Sequence, residues 1–159
     1  MNYPHLKNFA AKNNGLYYLK NGIVASVTYS KKKPFLVHIY TPGDFVGIDK
    51  FQEGIGVLDY FILTECDYEI VNDEELTDQK YKQSFLDFLK TFLHEITAYR
   101  SESYEKILQY NLEKISRFSN EIEGLPLAFV KEMGIKSDLD KLLENNKIML
   151  EDEEYKIKK

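Results

Sequence analysis

Between Thr77 and Ile122 the apolar positions recur at helical spacing. Phe85, Phe88, Leu89, Phe92, Ile96 and Tyr99, then Tyr104, Ile107, Leu108, Leu112, Ile115, Phe118 and Ile122 follow one another at mostly three- or four-residue steps, and no proline or glycine interrupts them. The pattern predicts one long helix or two in succession. At ~1.5 Å per residue an unbroken run would reach roughly 60–70 Å, more than a domain of this size is wide, so it spans two units or breaks once. Asn72–Asp78, acidic and rich in capping residues, suits the start of such a helix, because carboxylates there complement its dipole.

Upstream the period changes. Tyr3–Asn14 fits a short helix around Leu6, Phe9 and Ala10, but Leu16–Leu19, Ile23–Tyr29, Phe35–Tyr40, Phe45–Ile48, Val57–Thr64 and Tyr68–Val71 are short runs rich in β-branched and aromatic residues. Turn chemistry separates them: Asn21-Gly22, which predicts a hairpin, the charged loop Ser30–Pro34, Thr41-Pro42-Gly43-Asp44, and Gln52–Gly56. The lysines Lys31, Lys32 and Lys33 read as solvation and edge protection at a hairpin tip. Several short strands at this spacing indicate a small antiparallel sandwich or barrel rather than βαβ units.

Composition narrows the class. The 159 residues, 43% apolar and 14% aromatic, can bury one proper core plus a small satellite and exclude a disordered chain. No apolar run approaches the ~20 residues needed to cross a bilayer, and the polar opening Met1–Asn14 lacks a signal-peptide core, so the expected compartment is the cytoplasm, with no membrane partner. The single cysteine, Cys66, reads as a small buried hydrophobe, and no Cys/His grouping has metal-ligand spacing. A net charge of −5 gives no general attraction to nucleic acid or anionic lipid. His5, His38 and His94 stand without a neighbouring nucleophile or carboxylate motif and read as packing or surface residues; with no P-loop, GxGxxG or GxSxG, no catalytic residue, metal or cofactor is assigned, and no enzyme is expected.

Two stretches carry a resemblance. Leu19-Lys20-Asn21-Gly22-Ile23-Val24, a strand, the lysine loop, and then His38-Ile39-Tyr40-Thr41-Pro42-Gly43-Asp44-Phe45-Val46-Gly47 resemble the cyclic-nucleotide-binding-like β-roll of the Crp/Fnr family of bacterial transcription regulators, and the order of roll, long helix and small C-terminal helical unit is similar along nearly the whole chain. The resemblance implies an α+β fold: an N-terminal antiparallel β-roll or jelly roll over residues 1–76, a long dimerisation helix over 77–112, and a shortened winged helix-turn-helix over 113–159. It implies a homodimer through Phe85, Phe88, Leu89, Phe92, Ile96 and Tyr99, and a pocket for an unspecified small effector lined by Phe45, Val46, Gly47, Ile48, Leu58 and Tyr60. Cyclic-AMP-binding members place a glutamate just after the motif glycine and an arginine beyond it. Here Ile48 and Asp49 follow Gly47, the strand Val57–Phe61 has no arginine, and burying an anion beside Asp49, Glu53 and Asp59 is costly, so cyclic AMP is not the expected effector.

The C-terminal unit follows the same family order. Glu113–Phe118 stands where the family begins the first helix of its DNA-binding domain. Leu127–Ile135 reads as the first helix and glycine turn of a helix-turn-helix, Lys136–Ile148 as the second helix with Leu139, Leu142 and Leu143 inside, and Met149–Ile157 as a wing with Glu151–Glu154 at its tip. The resemblance makes DNA a partner through Lys136, Ser137 and Lys141. Against it, about one helical turn is missing from the second helix, residues 119–159 hold seven lysines against ten carboxylates, and the chain's two arginines, Arg100 and Arg117, lie elsewhere. The alternative is a protein-interaction or ligand-sensing module that acts through a partner regulator.

Overall fold

The computed structural model describes residues 16–49 and 57–158, less the side chains of 99–101; the helix expected at Tyr3–Asn14 and the turn at Gln52–Gly56 lie outside them. The first strands are β1 (Leu16–Asn21), β2 (Val24–Ser30), β3 (Lys33–Tyr40), β4 (Phe45–Val46), β5 (Asp59–Ile62) and β6 (Asp67–Val71). They form two antiparallel sheets, β4-β1-β6 and β3-β2-β5. The hairpin expected at Asn21-Gly22 is therefore corrected: β1 and β2 belong to different sheets, and the turn moves the chain from one to the other. Gly22 sits at φ 95°, and a Cβ there would come 2.4 Å from the Glu65 carbonyl oxygen and 2.5 Å from the Cys66 sulfur, so the crossing point admits only glycine. The true hairpin is the next one. Its strands β2 and β3 pair from Ser30↔Lys33 to Val24↔Tyr40, and Lys31 and Lys32 form its turn with φ 50° and 67°, the left-handed pair that matches strand twist in a two-residue loop.

Both faces of sheet β3-β2-β5 are buried, and Val24, Ala25, Ser26 and Val27 of β2 are accordingly all inside. Ala25, Val27, Leu36, Ile39 and Phe61 point into one core, and Val24, Tyr40 and Tyr60 into the other, where sheet β4-β1-β6 faces them with Leu16, Tyr17, Leu19, Phe45 and Val46.

The long helical stretch breaks once. After the short α1 (Asp73–Leu76), α2 (Gln79–Ser101) begins with Asp78 accepting from the Gln79 N–H at 2.8 Å. Glu102 and Ser103 are extended, and α3 (Tyr104–Phe118) starts anew with the Ser103 hydroxyl as its cap. α2 covers the open side of the aromatic core with Tyr81, Phe88 and Phe92. α3 lies along the outer edge of β3, where the Tyr104 hydroxyl accepts from the Leu36 N–H at 2.9 Å and Asn111 Oδ1 accepts from the Ile39 N–H at 3.0 Å. Two edge amides that water or another strand would otherwise take are thereby satisfied.

The C-terminal unit consists of β7 (Gly124–Pro126), α4 (Leu127–Met133), α5 (Lys136–Glu144), β8 (Ile148–Glu151) and β9 (Glu154–Ile157), with sheet order β7-β9-β8. The wing hairpin turns at Asp152-Glu153, inside the expected acidic tip; β7 has no counterpart among the strands expected from the sequence. This unit does not have a core to itself. Leu125, Phe129, Val130, Leu139, Ile148 and Tyr155 join Leu108, Leu112 and Ile115 of α3 and the inner residues of β3-β2-β5 in one cluster, with Phe61 and Phe129 edge to face at 5.7 Å. The fold is α+β: an antiparallel β unit, a long helix and a small winged helical unit docked on the β unit.

Candidate functional site: a charged cleft beside the roll

One irregularity in β3 builds the site. Val27 pairs with Leu36 and Ser26 with His38, so Val37 is an extra residue on β3. β2 keeps its alternation, Val24 and Ala25 facing opposite cores, but beyond the bulge every β3 side chain is switched: Ile39 joins the aliphatic core and Tyr40 the aromatic one. His38 turns with them toward α2, its ring 5.2 Å from Phe92 and 4.5 Å from Tyr40.

There His38 meets two charges. Its Nδ1 donates to Glu95 Oε2 of α2 at 2.8 Å. Lys114 Nζ of α3 lies 3.4 Å from the same oxygen and from each His38 nitrogen, and the Tyr110 hydroxyl donates to Glu95 Oε1 at 2.9 Å. All three side chains are buried: His38 is 3% exposed, Glu95 5% and Lys114 9%. Burial holds the His38 imidazole below its ordinary value, with the Lys114 charge adding to the effect and the Glu95 hydrogen bond opposing it. Burial likewise lowers Lys114, against the pull of Glu95 and Asp44. For Glu95 burial pushes the carboxyl up, but the hydrogen bond from His38 and the neighbouring positive charge outweigh it and leave the group below its ordinary value. The neutral imidazole thus orients the carboxylate that compensates the lysine.

This cluster floors a cleft of about 430 Å³ between the Thr41–Asp44 loop, one face of α2 from Ser84 to Glu95, and the face of α3 that carries Tyr110, Glu113, Lys114, Arg117 and Phe118. Asp44, which accepts from the Thr41 N–H at 2.8 Å, has its carboxyl raised by burial against that bond. Sequence patterns did not bring the cluster together because its members are 57 and 19 residues apart along the chain; the one visible signal was Glu95 at the i+7 position from Phe88, in line with Phe92 on an otherwise apolar stripe.

The effector-pocket candidates converge elsewhere. Phe45, Val46, Leu58 and Tyr60 are buried together in the aromatic core, with Gly47 buried and Ile48 half-buried beside them. The motif glycines Gly43 and Gly47 are at φ 98° and 100°, as their turns require. The interior they enclose is filled by rings: Tyr40 lies 5.8 Å from Tyr60 and 6.5 Å from Phe88, and Phe45 5.8 Å from Phe88. Asp49 accepts from the Leu58 N–H at 2.8 Å and from the Tyr60 hydroxyl. Cys66 donates to the Thr64 carbonyl, and burial pushes its thiol up to about 11.

Of the seam candidates, Phe88 and Phe92 are buried within the single chain, Phe85 is edge-on to Phe45 at 5.2 Å, Leu89 and Ile96 are half-buried, and Tyr99 continues the same helix with its side chain outside the described residues. Lys136, Ser137 and Lys141 are exposed on α5, but Lys136 Nζ is 2.6 Å from Asp140 and Lys141 Nζ 3.9 Å from Asp138.

No protein-family model and no curated protein matches the sequence. Solved structures do match the fold. A CRP-family transcriptional regulator from Thermus thermophilus is similar with a TM-score of 0.65 at 12% identity, over 98% of this chain and 88% of that one. A CRP/FNR-family transcriptional regulator from the same organism gives 0.61 at 14%, over 91% and 83%. The fold is that of the Crp/Fnr regulators. The c-di-GMP-responsive global regulator CLP of Xanthomonas campestris is similar too, with a TM-score of 0.58 at 13% identity over 91% of this chain and 84% of that one. The β unit, the long helix and the small C-terminal unit follow one another in the order of that fold. Among the described residues no helix is long and apolar enough to cross a membrane.

Proposed function

We propose that this chain is a homodimeric transcription regulator of the Crp/Fnr type that does not answer to cyclic AMP and carries its DNA-contacting surface on α5. The observation that supports the reading is the extent of the likeness, 98% of the chain, which takes in the winged unit as well as the roll. Lys136, Ser137 and Lys141 are the exposed polar side chains at the start of α5, where a helix-turn-helix meets the groove. The test is a gel shift against genomic fragments at low and moderate salt. Each lysine that contacts phosphate lowers the slope of log affinity against log salt by about one when replaced by alanine; a double Lys136→Ala/Lys141→Ala variant that binds as the parent does at moderate salt ends the reading.

The dimer seam in this proposal lies one step round α2 from the aromatic stripe, because Phe88 and Phe92 serve the roll. Leu86, Leu89, Leu93 and Ile96 repeat at three- and four-residue steps, as a two-helix seam requires, and Leu86 and Leu93 are 42% and 60% exposed in the single chain. Leu93→Asp is expected to give a monomer by light scattering; a monomeric parent protein would remove the seam. For cyclic AMP, calorimetry is expected to register no binding, since Tyr40, Phe45, Tyr60 and Phe88 occupy the roll interior.

A second reading, docking on a partner regulator without DNA contact, is favoured by the two ion pairs that tie Lys136 and Lys141 to carboxylates of their own helix.

A further inference from the structure

We infer that the cleft between the Thr41–Asp44 loop, α2 and α3 is a binding site for a small zwitterion of the α-amino-acid type, seated outside the filled roll. The inference does not depend on whether α5 reaches DNA. A volume of about 430 Å³ is within the range of small-molecule sites, and the walls carry polar groups of both signs around aromatic surface. On α3, Lys114 has its Glu95 and His38 contacts only at 3.4 Å, longer than a charge-assisted hydrogen bond of about 2.7–2.9 Å, so its ammonium is compensated in charge but loosely held. One turn further, the Arg117 guanidinium lines the same wall; its contact is the Phe118 ring at 6.0 Å, and it makes no ion pair among the described residues. Two cations three residues apart on one helical face suit a carboxylate.

Carboxylates stand on the same cleft. Asp87 on α2 accepts from the neutral Gln83 amide at 2.8 Å, and Glu113 on α3 makes no ion pair among the described residues. Together they offer an ammonium two partners. The lining thus holds four carboxylates, Asp44, Asp87, Glu95 and Glu113, against the two cations. A simple anion would meet that acidic excess. A diamine would meet Lys114 and Arg117. A zwitterion satisfies both sets, and Phe88, Phe92 and Tyr18 provide apolar wall for its side chain.

The experiment uses the full chain. Thermal shift and calorimetry are run with the proteinogenic amino acids at millimolar concentration, each effective one also as its N-acetyl and its carboxamide derivative. At least one amino acid with an apolar or aromatic side chain is expected to raise Tm and to titrate, and loss of either charge to abolish the effect. Arg117→Gln and Asp87→Asn, both at exposed positions, are each expected to weaken binding by roughly tenfold or more without moving the Tm of the unliganded protein. The proposal is overturned if no amino acid shifts Tm, if a derivative lacking one charge binds as well as its parent, or if either variant binds as the parent does.

Discussion

The two faces of sheet β3-β2-β5 are packed by different chemistry. One face gathers Ala25, Val27, Leu36, Ile39 and Phe61 against α3 and the winged unit, a largely aliphatic core in which Phe61 and Phe129 supply the aromatic contact. The other face gathers Val24, Tyr40 and Tyr60 with Tyr17, Phe45, Tyr81, Phe88 and Phe92, and at its margin stand His38, Glu95 and Lys114. The side chains of the first face join the sheet, α3 and the winged unit in one packed core. Beyond the margin of the second face the cleft opens between the Thr41–Asp44 loop, α2 and α3. The sheet is a shared wall: His38 of β3 lines the cleft, while Leu36 and Ile39 of the same strand belong to the core that includes the winged unit.

The largest effect is expected at the aliphatic joint. Phe129→Ala is expected to cost about 3–5 kcal/mol in urea unfolding, because Phe129 is fully buried between the sheet and the winged unit; a cost below about 1 kcal/mol would mean that the joint does not hold the two units together. Next comes the ionic margin. Lys114→Met leaves Glu95 buried without its cation and is expected to cost about 3 kcal/mol, whereas Lys114→Met combined with Glu95→Leu recovers most of that loss. A double variant no more stable than the single one would show that packing, and not charge, carries the cluster.

The pH dependence is smaller. Because the His38 imidazole is held below its ordinary value of 6.5, the unfolded chain takes up a proton at higher pH than the folded one, so this contribution is complete above about 6.5 and is lost as the pH falls below it. Glu95 from α2, held low, adds loss in the same direction further into acid, Asp44 from the Thr41–Asp44 loop, held high, offsets part of it there, and Lys114 from α3, lowered by its burial, stands against the same imidazole. Thermal melts from about pH 7 to pH 5 are expected to show a falling Tm, with a flatter profile in His38→Gln; parallel profiles would remove His38 from the account. The smallest effect is at the hairpin tip. Lys33 Nζ lies 3.3 Å from the buried Asp138 of α5 but its side chain is 51% exposed, so Lys33→Ala is expected to cost less than about 1 kcal/mol, measured by the same unfolding assay.

What was legible in the sequence was what local physics controls. The strand runs, the caps at Asn72–Asp78, the glycine turn at Gly134 and the acidic wing tip all depend on neighbours within a few residues, and the structure has them where the patterns put them. The helical period from Thr77 to Ile122 left open whether the helix breaks; Glu102-Ser103 settles it, since a serine that can cap a new helix also ends the old one. Local reasoning misled at Asn21-Gly22, where hairpin chemistry serves a crossing between sheets. β7 is three residues long and held by pairing with β9, so nothing in its own residues announced it.

By itself, then, the sequence determined the order of the elements, the caps that end them, and the absence of an arginine on the strand after Gly47, because each of these is settled by the residues at the place concerned. Only the tertiary structure decided which face His38 joins. A single extra residue at Val37 reverses the parity of β3, and the reversal carries meaning only once β2 holds its register beside it and α2 and α3 bring Glu95 and Lys114 to the same side. Bulges and ion clusters of that kind are properties of pairing between distant segments, and no window along the chain contains both partners.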